Sequence, residues 1–147
     1  MTGIGKSQNK TELHHLLQLP GAVPGTNNLL SAGTGRCQVK LYWYTVGPDL
    51  FVSIYNDCPH IGAVALADFE PASGRAWASV LSAVGHREDA LAHTQARRIS
   101  ARLHCRVCLV AGIHLDEITA EEICLIEQSA QEAVGQLLDL CRNPGSV

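Results

Sequence analysis

Along residues 36–46 apolar and polar side chains alternate, with Cys37, Val39, Leu41 and Trp43 on one face and Gln38, Lys40, Tyr42 and Tyr44 on the other. A period of two predicts a strand with one buried face. Gly47-Pro48-Asp49 supplies a tight turn, and Leu50, Val52 and Ile54 then alternate with Phe51, Ser53 and Tyr55 in a return strand. Asn56-Asp57-Cys58-Pro59 breaks the run. Residues 61–67 are apolar on both faces, which predicts a central strand covered on both sides. Glu70-Pro71-Ala72-Ser73-Gly74 turns the chain again into a strand over 75–81.

From Glu88 the period lengthens. Ala92, Ala96, Ile99 and Leu103 form one helical stripe whose two alanines allow close approach to a sheet. Alternation returns over 106–113, with Val107, Leu109, Ala111 and Ile113 on one face, and predicts a fifth strand. Thr119-Ala120-Glu121-Glu122 then forms a capping box ahead of an apolar stripe of Ile123, Ile126, Ala130, Ala133, Val134, Leu137 and Cys141. That helix should stop near Arg142-Asn143-Pro144-Gly145. Four strands, a helix, a strand and a helix predict an α/β (α+β) domain: a largely antiparallel five-stranded sheet with two helices packed on it.

The 147 residues suffice for one domain. Residues 1–35, rich in glycine and asparagine, are expected to be a flexible N-terminal extension, 36–142 a single ligand-binding domain and 143–147 a tail. Within the extension, residues 13–19 could form a marginal helical turn. A net charge of −3 with 17% charged residues argues against a nucleic-acid partner. No apolar run is long enough to span a bilayer and the first ten residues are polar, so no membrane association and a cytoplasmic location are expected. In such a compartment the six cysteines read as free thiols. A homo-oligomer is the expected assembly.

Candidate chemistry gathers at element boundaries, in Pro59-His60-Ile61-Gly62, Gly85-His86-Arg87-Glu88 and Gly112-Ile113-His114. Each segment alone reads as an ordinary loop with an exposed histidine; its threefold recurrence suggests one ligand surface. Gly62, Gly85 and Gly112 permit close backbone approach or unusual φ. The helix start after Gly85 could hold a phosphate through its free N–H groups and Arg87, although Glu88 and Asp89 also suit a helix N-terminus. Cys105-x-x-Cys108 has half the spacing of a zinc site, but on a strand the two thiols would point to opposite faces, so no metal is expected there. Gly3-Ile4-Gly5-Lys6-Ser7 lacks the first glycine of a phosphate loop, and no common catalytic signature is present. Two other readings stay open: a small metal-dependent enzyme using His60, His86, His114 and Asp116, and an assembly subunit that needs no small ligand.

As an ordered set, Val46-Gly47-Pro48-Asp49-Leu50-Phe51-Val52-Ser53-Ile54, Pro59-His60-Ile61-Gly62-Ala63-Val64, Gly85-His86-Arg87-Glu88-Asp89 and Ala111-Gly112-Ile113-His114-Leu115-Asp116-Glu117-Ile118 resemble the LpdD-like prenylated flavin chaperones, accessory proteins of UbiD-type decarboxylases. The likeness runs over about residues 37–140, with Arg87 where lysine is expected. It implies a fold related to proteasome-assembly chaperones and non-catalytic, transient binding of prenylated flavin mononucleotide (prenylated FMN), without a metal, in support of a partner decarboxylase's maturation or reactivation. His60, Gly62, Gly85, His86, Arg87, Gly112 and His114 are the cofactor-binding residues it suggests, with no catalytic residue.

Overall fold

The computed structural model describes residues 28–142, so residues 3–7, the turn over 13–19 and the 143–147 tail lie outside the described residues. The chain runs β1 (Leu29–Ala32), a short 3-10 turn (Gly35–Cys37), β2 (Val39–Val46), β3 (Asp49–Tyr55), β4 (Ala63–Glu70), β5 (Arg75–Ser82), α1 (Asp89–Leu103), β6 (Val107–Gly112) and α2 (Ala120–Arg142). The strands form one sheet in the order β1-β2-β3-β6-β4-β5. Every pairing is antiparallel except β3 with β6. A mixed α+β architecture with two helices thus matches expectation, but the sheet has six strands, not five. The extra strand, β1, lies inside the stretch expected to be a flexible extension; it adds to β2 with Leu29 opposite Tyr42 and Ala32 opposite Val39.

The alternation read from the sequence is the burial pattern of the sheet. Val39, Leu41, Val52, Ile54, Val107, Leu109 and Ala111 lie on one face with no exposed surface, under the helices. Burying each such branched side chain contributes roughly 1.5–3 kcal/mol, which fixes the register, because a one-residue slip would turn all of them outward. On β4 the buried positions are Ala63, Ala65 and Ala67, and α1 presents Ala92, Ala96 and Ile99 to the same core. Small side chains on both surfaces let α1 seat closely on β4, its main contact in the sheet.

Among the described residues, the opposite sheet face carries no helix. Strand register places Tyr44 beside Phe51, Leu66 beside Cys108, and Val64 beside Leu81 on this side. Tyr42, Leu66, Trp77 and Leu81 are exposed there. The expectation that residues 61–67 form a strand covered on both sides is therefore corrected: Leu66 is 52% exposed, because β4 has α1 on one face only. Its apolar outer residues belong to the uncovered face.

α2 begins as its capping box predicts. The Glu122 N–H donates to Thr119 Oγ1 (3.2 Å), and the Thr119 N–H donates to Glu122 Oε2 (3.0 Å). Arg36 Nε, from the 3-10 turn, lies 2.7 Å from Glu122 Oε1 and ties the region around β1 to this helix start. The backbone N–H of Thr119, joined by the Arg36 guanidinium, holds the Glu122 carboxyl below its ordinary value. None of the helices among the described residues is long and apolar enough to cross a membrane.

Candidate functional site

Tyr55 pairs with Gly112, Ala63 with Ala111, and Ala63 with Ser82. One end of the sheet therefore collects the carboxyl ends of β3, β5 and β6 and the start of β4. The β3–β4 connection has to cross the end of β6, since β6 lies between its two strands. It does so at contact distance: a Cβ built on Gly112 would stand 1.7 Å from the His60 carbonyl oxygen. Beyond the crossing, the Gly62 N–H donates to the Ala111 carbonyl (2.9 Å) and the Ala83 N–H donates to the Gly62 carbonyl (2.7 Å). The backbone that carries His60 is thereby pinned on both sides.

Asn56, 4% exposed, makes the other brace. Its Nδ2 donates to the His114 carbonyl (2.8 Å), while its Oδ1 accepts from the Cys58 N–H (3.2 Å) and the His114 N–H (3.3 Å). The bond to Cys58 is an Asx turn that starts the crossing, and the bonds to His114 lock the segment after β6 to the end of β3. Residues 56–58 read in the sequence only as a strand break, yet Asn56 braces the histidine segments against each other.

The three histidine segments converge here, and Glu88 is at their centre. His60 Nε2 lies 3.0 Å from Glu88 Oε1 and 3.1 Å from His86 Nδ1, and His86 Nδ1 lies 3.6 Å from Glu88 Oε2. The His60 and His86 rings are 4.6 Å apart between centroids. Glu88 is the N-cap of α1, but its side chain makes no cap bond. The carboxylate turns away from the helix, where Oε1 accepts from the Ile113 N–H (3.2 Å) and Oε2 from the Arg87 N–H (3.0 Å). Gly62 makes this possible, since a Cβ there would come within 2.6 Å of the Glu88 carboxylate. Gly85, at φ +79°, forms the turn in which the His86 N–H donates to the Ala83 carbonyl.

His114 stands beside this group, its ring centroid 6.4 Å from that of His60, and its Nε2 contacts Asp116 Oδ1 at 3.0 Å. Arg87 is exposed next to the first turn of α1. All seven residues expected to bind a cofactor are thus at one end of the sheet, with His60, His86, Arg87 and His114 offering side chains. Gly62 and Gly112 make room for Glu88 and for the His60 backbone, and Gly85 makes the turn. Glu88 and Asn56 were not among the expected residues. The glutamate was read as helix-start charge, and only the β3–β4 crossing, remote in sequence, brings His60 to it.

The arrangement is an open shelf. Two surface grooves, one between α1 and α2 at Arg98 and Glu132 and one at the sheet edge near Trp77 and Arg97, lie away from it. Of the four residues of the metal-enzyme reading, His60 and His86 converge, whereas His114 and Asp116 pair with each other. Cys105 is buried in the bend ahead of β6 and not on the strand, whereas Cys108 lies on β6 and faces away from the helices. Burial raises the Cys105 thiol to about 12 and also raises Cys108, which opposes the thiolate a zinc site needs.

No curated protein matches the sequence. Among solved structures the fold is similar to a chain in the crystal structure of a chaperone complex for yeast 20S proteasome assembly, with a TM-score of 0.52 over 78% of this chain and 94% of that one. At 10% identity the likeness is one of fold. A family model of the prenylated flavin chaperone LpdD-like domain matches residues 33–142, which takes in β2 to β6, both helices and all three histidine segments. The chain belongs to the LpdD-like prenylated flavin chaperone family.

Proposed function

We propose that the protein is a non-catalytic chaperone and carrier that binds prenylated FMN and supports maturation or reactivation of a UbiD-type decarboxylase. Family membership supports the ligand class. The observation that carries the reading for this chain is the convergence of His60, His86 and His114 at one end of the sheet, with Arg87 exposed beside them. The first turn of α1 offers N–H groups that Glu88 leaves uncapped, and Arg87 adds a cation; together they suit the phosphate tail. The His60 and His114 rings suit the flavin ring or its prenyl portion, with Gly62, Gly85 and Gly112 fixing the backbone beneath. The shelf is open, which suits a ligand held transiently and passed on. The flavin's own chemistry belongs to the partner; this chain's residues bind, orient and release.

The uncovered apolar sheet face supports a homo-oligomer or a docked decarboxylase, since an exposed patch of that kind is uncommon on a monomer. A cytoplasmic setting fits the free thiols.

Purified protein mixed anaerobically with reduced prenylated FMN should co-elute with it and give a calorimetric signal without turnover. Replacing His60 and His86 by alanine should abolish binding and lower the active fraction of a co-expressed decarboxylase. Absence of binding by the intact protein sinks the reading. Full activation by the double variant with its fold intact would instead favour an assembly subunit that needs no flavin.

A further inference from the structure

The geometry points to a divalent transition-metal site formed by His60 Nε2, His86 Nδ1 and the Glu88 carboxylate. These ligand atoms all lie within 4.8 Å of one another, the only such group of three among the described residues. His60 Nε2 lies 3.0 Å from Glu88 Oε1 and 3.1 Å from His86 Nδ1, and His86 Nδ1 lies 3.6 Å from the other carboxylate oxygen, Oε2. Donors bound at ~2.0–2.2 Å around one ion stand roughly 2.9–3.5 Å apart at octahedral to tetrahedral angles, so little movement would bring all three onto a common centre.

Hydrogen-bond valence favours a cation at that centre. His60 Nδ1 faces the Cys58 carbonyl, an acceptor only, at 3.4 Å; in the neutral tautomer with its proton on Nδ1, Nε2 is free to ligate. Nε2 then turns its lone pair towards Glu88 Oε1, itself an acceptor that already receives the Ile113 N–H. In that tautomer two lone pairs face each other at 3.0 Å, and His86 Nδ1, 3.1 Å from His60 Nε2, is the third ligand atom. A bound ion satisfies all three together. The surroundings are those of a supported ligand set: the Cys58 carbonyl orients His60, the Arg87 and Ile113 N–H groups orient Glu88, and Gly62 leaves the carboxylate its space. Two imidazoles and one carboxylate suit zinc or a neighbouring first-row divalent ion, and not magnesium or calcium, which take oxygen ligands. Side-chain exposures of 25% for His60 and 35% for His86 against 12% for Glu88 leave the ion's remaining positions open to solvent.

Ion binding stands apart from the flavin reading and is measured without flavin. Chelator-stripped full-length protein titrated with zinc chloride in a calorimeter should bind an ion that magnesium chloride does not displace. Cobalt chloride should produce visible absorption bands from the same site. His86→Ala removes an exposed ring and should leave the circular dichroism spectrum intact while removing one equivalent of zinc or weakening it about tenfold or more, with loss of the cobalt bands. His93→Ala, on α1, should change neither. No zinc binding by the intact protein, or equal binding by His86→Ala, overturns the site and means that a shared proton holds the three groups. Flavin co-elution repeated in chelator fails or succeeds independently of that result.

Discussion

Gly112 lies directly beneath the His60 carbonyl, so close that a Cβ at Gly112 would be 1.7 Å from that oxygen. Gly112 is not among the glycines with positive φ, so space and not the dihedral excludes a side chain. The obstructing atom is backbone, and hydrogen bonds around Gly62 hold that backbone in place. Gly112→Ala is therefore expected to force the β3–β4 crossing off the end of β6, at a cost of about 3 kcal/mol, the upper end of what overpacking usually costs. Chemical denaturation measures it. A loss well under 1 kcal/mol, the size of an ordinary surface change, would mean that the crossing is looser than its contacts suggest.

Gly62→Ala should behave differently. Its new Cβ would meet the Glu88 carboxylate at 2.6 Å, and the end of a side chain can swing where a backbone cannot. The expected stability loss is about 1 kcal/mol. The larger effect should be local: the carboxylate leaves His60, and the ring nitrogen resonances of His60 and His86 shift together in nitrogen-15 spectra. Unchanged ring resonances would show that Glu88 has room to spare.

What the sequence made legible follows from how local each signal is. The Thr119–Glu122 box spans one helical turn, so its reading needed no tertiary knowledge. The alternation over β2 and β3 was equally direct, because the buried face repeats within one strand. β1 was missed, since four residues flanked by Asn27, Asn28 and Gly33 show no period and become a strand only by pairing with β2. β4 was read as doubly covered because Val64 and Leu66 are apolar, though they face the open side. The histidine segments were recognisable from their glycines and boundaries. Glu88 was not, because an acid at a helix start has a sufficient local explanation, and its actual partner, His60, arrives through the sheet order.

The Glu122 carboxyl gives a pH test of the α2 start. Its folded value lies below the ordinary 4.5, mainly through the Thr119 N–H and then through Arg36. The unfolded chain therefore binds the proton more readily, so the stabilisation is present above 4.5 and is lost as pH falls through the lower folded value. Glu122→Gln should lower the melting temperature at neutral pH, and the gap to the unchanged protein should close on acidification below 4.5. A gap that stays constant into acid would mean that the charge contributes nothing and that the amide's lost geometry explains the whole effect.

Thiol reactivity tests the core against the surface. Burial pushes both Cys105 and Cys141 up to about 12, whereas Cys58 and Cys124 are exposed. The thiolate is the reactive form, so in mildly alkaline buffer an aromatic disulfide reagent should label Cys58 and Cys124 promptly and reach Cys105 and Cys141 only after guanidinium unfolds the chain. Peptide mapping by mass spectrometry assigns each site. The same raised values favour the folded state below the ordinary 9.0, with that contribution lost as pH climbs towards 12. Prompt native labelling of Cys105 would place its thiol at the surface and reopen the metal-ligand role that its burial now opposes.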